Sequence, residues 1–390
     1  MHTIGVFFGS RSPEHDISII TGQLIISELN KLGKNVVAIY LDKEGHWLIG
    51  QEVSSLKTFI SNVTLPHNLQ EYYLDLEKSH GKMVFKKKGI IGQEINIDLA
   101  FPAFHGKYGE DGTIQGMFEM LDIPYVGCDV TSLSLTIDKV LTKLLYQAQG
   151  IPTTKFIFFH KNDWNNDKNK WINKAKENLQ WPVIVKPATL GSSIGIAKAN
   201  DEKELEFAIE VAFHYDTKAL VEECVDNLSD ITCALLGNND PTPSLLQESV
   251  FEKDFLSYED KYLKEDGTQL GEASKNLFIP ARLDQRTTQE IQEMAVNIFK
   301  IFGCSGTARV DFLYDKKLKK FYANEINPLP GTLYHHLWQK SGMDISEVLK
   351  RLINLAQEKY EEKKSINYSF KSDLLKFANS VKLQLKNNEK

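Results

Sequence analysis

The stretch Thr307–Gly331 reads T-A-R-V-D-F-L-Y-D-K-K-L-K-K-F-Y-A-N-E-I-N-P-L-P-G, and its reading decides the fold. Both ends are rich in β-branched and aromatic residues, and the middle is polar and turn-compatible. An antiparallel hairpin centred near Leu318 sets Asp311 opposite Glu325 and Arg309 opposite Asn327. Because strand side chains alternate, these four share one face, with Val310, Phe312 and Ile326 on the other. Carboxylates directly opposite each other lie about 5 Å apart and repel, by roughly 3 kcal/mol at an effective dielectric near 20. Something must offset this. Two carboxylates and an amide are hard oxygen ligands, suited to magnesium that bridges nucleotide phosphates. A shared proton or a salt bridge to Arg309 would also relieve the pair, and the bland reading is an exposed hairpin face with incidental charges.

Outward from this ribbon, 390 residues exceed what one core usually supports, so two or three domains are expected. A net charge of -6 argues against nucleic acid as a partner. Cys128, Cys224, Cys233 and Cys304 show no CxxC spacing, so they read as buried free thiols in a reducing cytoplasm. No signal peptide and no membrane-length apolar run are expected.

The opening, strand Thr3–Phe8, a turn, a helix from about Ile17 to Lys31 and strand Val36–Tyr40, suits an open α/β sheet with ligands at the strand ends. Glu14 lies in its first loop. Residues 50–95 read as strands and loops. Strand Ile97–Phe101 runs into H-G-K-Y-G-E-D-G-T-I-Q-G, a special loop in which His105 and Glu110 face a ligand, followed by a helix over 113–121. Ile123–Gly127 reads as a strand, and 132–149 as one helix carrying Asp138 and Lys139. Pro182–Pro187 is a buried strand ending in Lys186, and A-T-L-G-S-S-I-G follows. Its glycines let backbone N–H groups converge on an anion, although it is no Walker A loop. Asp226–Asp230 reads as a polar turn between strands Ala219–Glu223 and Ile231–Leu236. The long charged segment 251–275 reads as a lid with Lys261 and Tyr262. A helix over 285–302 precedes the ribbon, a helix over 345–359 follows it, and a Lys-rich tail closes the chain.

Taken together, S-P-E-H-D-I-S, H-G-x-x-G-E-D-G-x-x-Q-G, I-P-Y-V-G, D-K at 138–139, V-K-P-A-x-L-G-S-S-I-G, D-K-Y, G-x-A-R-V-D-F and N-E-I-N-P-L-P-G resemble the D-alanine–D-alanine ligases of the ATP-grasp superfamily. The resemblance runs from about residue 3 to 335. It implies an α/β and α+β, three-domain ATP-grasp fold: a Rossmann-like N-terminal domain over 1–130, a central subdomain over 131–223 and a catalytic domain over 224–360, with the tail over 361–390. It implies ATP and two Mg2+ (or Mn2+), amino-acid substrates, a cytoplasmic enzyme of cell-wall precursor synthesis and a homodimer. By motif, Lys139 and Lys186 are phosphate lysines. Glu222, Glu223 and Val225 form the adenine hinge, and Asp230 is the ribose carboxylate. Asp311, Glu325 and Asn327 are metal ligands. Arg309 and the Gly331 N–H stabilise an oxyanion. Glu14, Ser192 and Tyr262 orient substrate, with His105 and Lys261 beside them.

One stretch departs from the family pattern. After P-G the ligases carry a longer segment with a Ser that holds the second substrate's carboxylate. Here G-T-L-Y-H-H-L-W is shorter and has no matching Ser, so Tyr334, His335 or His336 is expected to line that pocket, and the second substrate is left open. Two other readings stand beside D-alanyl-D-alanine synthesis: ligation of a different amino-acid or dipeptide pair, and a non-catalytic ATP-binding regulator.

Overall fold

The computed structural model describes residues 2–60, 69–89, 92–250, 277–329 and 331–377. Chain order gives β1 (Thr3–Gly9), α1 (His15–Lys31), β2 (Asn35–Leu41), β3 (Trp47–Ile49), α2 (Leu56–Ile60), β4 (Glu71–Leu74), β5 (Met83–Lys87), β6 (Glu94–Ile97) and β7 (Leu99–Pro102). These strands form one sheet, ordered β6-β5-β4-β3-β2-β1-β7. β1 pairs in parallel with β2 and β7, as the strand-turn-helix-strand opening requires. The expected strand Ile97–Phe101 is instead β6 and β7, which meet at Asp98. The expected strand Ile123–Gly127 is a single bridge, Ala100 to Tyr125.

After α3 (Thr113–Met120), the expected helix over 132–149 is two, α4 (Val130–Thr136) and α5 (Lys139–Ala148). The break is local chemistry. The Asp138 carboxylate accepts from the backbone N–H groups of Val140 and Leu141 at 3.0 and 3.2 Å, and an aspartate caps a helix start better than it serves inside one. The cap makes Lys139 the first residue of α5.

Next come β8 (Phe156–His160), α6 (Lys161–Asn166), α7 (Lys168–Asn178), β9 (Val183–Pro187), β10 (Ala197–Ala199), α8 (Glu202–Tyr215) and β11 (Lys218–Glu223). Their antiparallel sheet is ordered β10-β9-β11-β8. Helices α7 and α8 bury Ile172, Leu205 and Ile209 against Val185 and Val221.

The third sheet holds β12 (Leu228–Gly237), β13 (Thr242–Ser249), β14 (Leu277–Phe278), β15 (Gly306–Asp315) and β16 (Lys320–Asn327), ordered β14-β13-β12-β15-β16. Helix α9 (Gln285–Ile301) packs Ile291 and Ile298 against Val310, Phe312 and Ile326. Asp230 lies in β12 rather than in a turn, because the strand begins at Leu228. After a tight turn come α10 (His335–Lys340) and α11 (Ile345–Lys364), the latter five residues longer than the pattern suggested. Trp338, Leu349 and Leu352 share a core with Ile25 and Leu29 of α1. The first and last parts of the chain therefore pack on each other.

Candidate active site

The ribbon has the expected register: Arg309 pairs with Asn327 and Asp311 with Glu325. A bulge between Asp311 and Phe312 then shifts the pairing, so Phe312 faces Ala323 and Asn324 is the extra residue. The bulge turns Asn324 toward the cleft, where its Oδ1 accepts from Lys186 at 3.2 Å. Val310, Phe312 and Ile326 are buried on the opposite face.

The repulsion anticipated for the two carboxylates is met by Arg309. Its guanidinium contacts Asp311 through Nε at 2.9 and 3.0 Å and Nη2 at 2.5 Å, and lies 3.9 Å from Glu325. Lys139 Nζ approaches Glu325 to 3.8 Å and donates to the Leu190 carbonyl at 2.6 Å. Thr232 Oγ1 of β12 donates to Asp311 at 3.0 Å. Burial works against the Arg309 charge, but Asp311 outweighs it and holds the guanidinium firmly protonated. Asp311, Glu325 and Asn327 remain a hard-oxygen set beside Lys139 and Arg309, which fits magnesium bound together with phosphate. Among the described residues there is no cluster of three or more His, Cys, Asp or Glu able to hold a metal.

Two cavities meet here. The first, of 1030 Å³, is lined by Lys139, Lys186, Ser192, Glu222, Glu223, Val225, Asp230, Arg309, Asp311 and Glu325. All the residues expected to hold nucleotide are in it. At its floor, Glu222 is held by Lys186 at 2.5 Å and by Lys143, a residue not singled out from sequence, at 2.7 Å. Burial pushes the Glu222 carboxyl up, and the two lysines together hold it well below the usual range.

The second cavity, of 640 Å³, is lined by Glu14, His105, Glu110, Lys139, Ser192, Arg309, Glu325, Asn327 and Gly331. Ser192 donates to Glu14. Two glycines make room for that carboxylate: a Cβ on Gly106 would lie 2.5 Å from Glu14 Oε2, and one on Gly191 would lie 2.9 Å from it. Glu110 accepts from the Gly106 N–H at 2.6 Å. Burial, and then the charge of Glu14, push its carboxyl up to about 8. His105 is buried and pushed down to about 4, by burial first and Arg309 second. Its Nε2 lies 2.9 Å from Thr21 Oγ1, which accepts from the Thr332 N–H at 3.1 Å. Thr21 thus ties the His105 loop to the turn that carries Gly331.

That turn is unusual. Thr332, Leu333 and Tyr334 all have left-handed backbone, with φ of 49°, 54° and 51°. Each costs roughly 1–3 kcal/mol for a residue with a Cβ, and such strain gathers at functional sites. The Tyr334 ring lies 4.9 Å from the Arg309 guanidinium and lines the first cavity. His336 lines neither cavity. It sits behind Tyr334, ring centroids 4.9 Å apart, with Nε2 2.7 Å from Gln247 Oε1. Lys261 and Tyr262 lie outside the described residues.

Lys143 was legible in principle, since K-x-x-x-K puts it one turn beyond Lys139 on the same helix face. Thr232 and Gln247 had no sequence signal, because each reaches the site through strand pairing, and Asn324, although it opens the N-E-I-N motif, reaches Lys186 only through the bulge.

Comparison with known proteins agrees with this geometry. Residues 3–128 match the family described as D-ala D-ala ligase N-terminus, and 145–354 the one described as D-ala D-ala ligase C-terminus. The chain is 39% identical over 374 residues to a D-alanine--D-alanine ligase of Thermosipho africanus, covering 96% of this chain and 98% of that one. It is 39% identical over 371 residues to the ligase of Caldicellulosiruptor bescii, covering 94% and 98%. Among solved structures, the D-alanine-D-alanine ligase from Coxiella burnetii superposes with a TM-score of 0.77 at 27% identity, covering 97% of this chain and 98% of that one. The VanG D-Ala:D-Ser ligase from Enterococcus faecalis does so at 0.75 and 32%, covering 91% and 99%. The chain belongs to the D-alanine–D-alanine ligase family and has its ATP-grasp fold.

Proposed function

We propose that this chain is a cytoplasmic, ADP-forming ligase that joins two D-alanines for peptidoglycan precursors. One observation carries the reading: the cleft lined by the expected nucleotide residues and the adjoining acidic pocket share a wall made of Lys139, Gly191, Ser192, Arg309 and Glu325. A γ-phosphoryl group in the first and an amino-acid carboxylate in the second would meet at that wall.

A carboxylate is a poor electrophile. Transfer of the γ-phosphoryl group of ATP makes it an acyl phosphate, and Lys139 and Lys186 stabilise the charge on the transferring group. Asp311, Glu325 and Asn327 would hold magnesium, which when bound offsets the charge of the phosphate oxygens. The ammonium of the second amino acid gives up a proton to the set of Glu14, Ser192 and Tyr262, and the free amine attacks the acyl carbon. Arg309 and the Gly331 N–H face the oxyanion of the tetrahedral intermediate, and phosphate departs. The Glu14 carboxylate, held by Ser192, orients the first ammonium. Tyr262 and Lys261, on the long charged segment, are proposed to cover the site and exclude water.

Tyr334, on the first-cavity side of the shared wall with His336 behind it, is proposed to meet the second substrate where the family pattern has a Ser. That replacement favours a second reading, in which the acceptor is an amino acid other than D-alanine. A phosphate-release assay with ATP, magnesium and a panel of D- and L-amino acids, with mass analysis of the product, tests both. D-alanine-dependent release with D-alanyl-D-alanine as product supports the first. A mixed dipeptide supports the second, and no release with any pair rejects both.

A further inference from the structure

Lys143 lines neither of the two cavities, yet it is more completely buried than Lys139 or Lys186, its side chain 1% exposed. Its ammonium reaches three acceptors: Glu222 Oε2 at 2.7 Å, Thr153 Oγ1 at 2.8 Å and Thr154 Oγ1 at 2.8 Å. The protonation state follows from counting hydrogens. Thr153 spends its hydroxyl hydrogen on the Ala323 carbonyl at 3.0 Å, and Thr154 spends its own on Glu222 at 2.5 Å. Neither can donate to Lys143, and Glu222, held ionised with Lys186 also on it, only accepts, so Lys143 donates three times. A neutral amine has two hydrogens and an ammonium three. Burial lowers the affinity of Lys143 for its proton, but this donor pattern needs the charged form.

Glu222 therefore carries one negative charge between two positive ones, Lys143 behind it and Lys186 in front. Only Lys186 and Glu222 line the nucleotide cleft. If Lys143 were absent, Glu222 and Lys186 would form a neutral pair, and the floor of the cleft would offer phosphate no net charge. Asp230 and Glu325 act on Lys186 whether or not Lys143 is present, so loss of Lys143 makes the floor one unit charge more negative.

We propose that Lys143 is a positioning residue for the nucleotide phosphates: it neutralises Glu222 from behind, so that Glu222 does not cancel the charge Lys186 presents to the cleft. The inference rests on the nucleotide reading of the cleft and adds the source of its charge.

The test is calorimetric binding of ADP and of adenosine to the full chain, with folding checked by thermal melting. Lys143→Met weakens ADP on the order of tenfold, the effect of one unit charge at intermediate range, and changes adenosine less than about twofold, since adenosine carries no phosphate. In the double variant Lys143→Met/Glu222→Gln the ratio of ADP to adenosine affinity returns toward the wild-type value, because the uncompensated carboxylate is gone; a loss common to both ligands reports the Glu222 contact to adenine instead. Equal losses for ADP and adenosine in Lys143→Met, or no recovery of the ratio in the double variant, overturn the proposal and leave Lys143 a packing residue. If Lys143→Met does not fold, the double variant is compared with the wild-type chain, which carries the same net charge at the floor of the cleft. An equal ratio of ADP to adenosine affinity supports the proposal, and a ratio lower by about tenfold overturns it. A wild-type chain that binds neither ligand overturns the nucleotide reading and this inference with it. A chain that binds both, with Lys143→Met unchanged, overturns this inference alone.

Discussion

Replacing Asp311 with Ala removes more than a metal ligand. Arg309 is almost wholly buried, and Asp311 supplies its three short contacts. What remains is Glu325 at 3.9 Å and the face of Tyr334 at 4.9 Å. Stranding one member of a buried ion pair costs about 3–5 kcal/mol. Glu325 can take up part of the charge, so the lower end, about 3 kcal/mol, applies. For a chain of this length melting as one unit, that lowers Tm by about 4 °C. Turnover is lost in the same variant. Adding Arg309→Met removes the stranded charge and recovers most of the Tm, while turnover stays absent. Thermal melts and phosphate release on the two variants check this. An unchanged Tm in Asp311→Ala would refute the electrostatic account of the ribbon, and near-normal turnover would refute the role of Asp311 in chemistry.

Other expectations are independent of that one. His105 is held neutral at about 4 in the fold, against about 6.5 when unfolded. The unfolded chain therefore binds the proton first, and stability present above pH 6.5 is lost as pH falls toward 4, by up to about 3 kcal/mol. Denaturant melts across that window show a shallower loss in His105→Asn if this is right. Gly106→Ala sets a Cβ against Glu14 and adds a side chain at φ 69°, so the KM for the first amino acid rises while ADP affinity, measured separately, holds; a parallel loss of both would point to general damage. His336→Ala unpins Tyr334 by removing the contact to Gln247, so the KM for the acceptor rises several-fold with little change for the first substrate. An unchanged acceptor KM would take His336 out of that pocket's support.

The ribbon was readable because its logic is short-range. A period of two and a turn near Leu318 are enough to set Asp311 against Glu325, and that register stands. The bulge one residue later was not readable: it has no compositional mark, and it is what brings Asn324 to Lys186. Asp138 shows the opposite failure. Its neighbours continue a helical pattern on both sides, but its carboxylate competes for backbone N–H groups and starts a new helix. Leu228–Asp230 looked like a turn by composition, yet pairing with β13 and β15 holds it in β12. Glu222 was legible as part of a hinge, whereas the lysine pair around its carboxylate depends on contacts between α5, β9 and β11. Tyr334 was legible only as one of three candidates. Its place against Arg309 comes from three successive left-handed residues that no side-chain pattern announces.

The central claim is that the acidic face of β15 and β16 receives a divalent ion together with nucleotide. Manganese binding in the presence of ADP, followed by electron paramagnetic resonance, tests it most directly. The account predicts nucleotide-dependent manganese uptake by the wild-type chain, and its loss in both Asp311→Asn and Glu325→Gln. Uptake that persists undiminished in the two variants would contradict it.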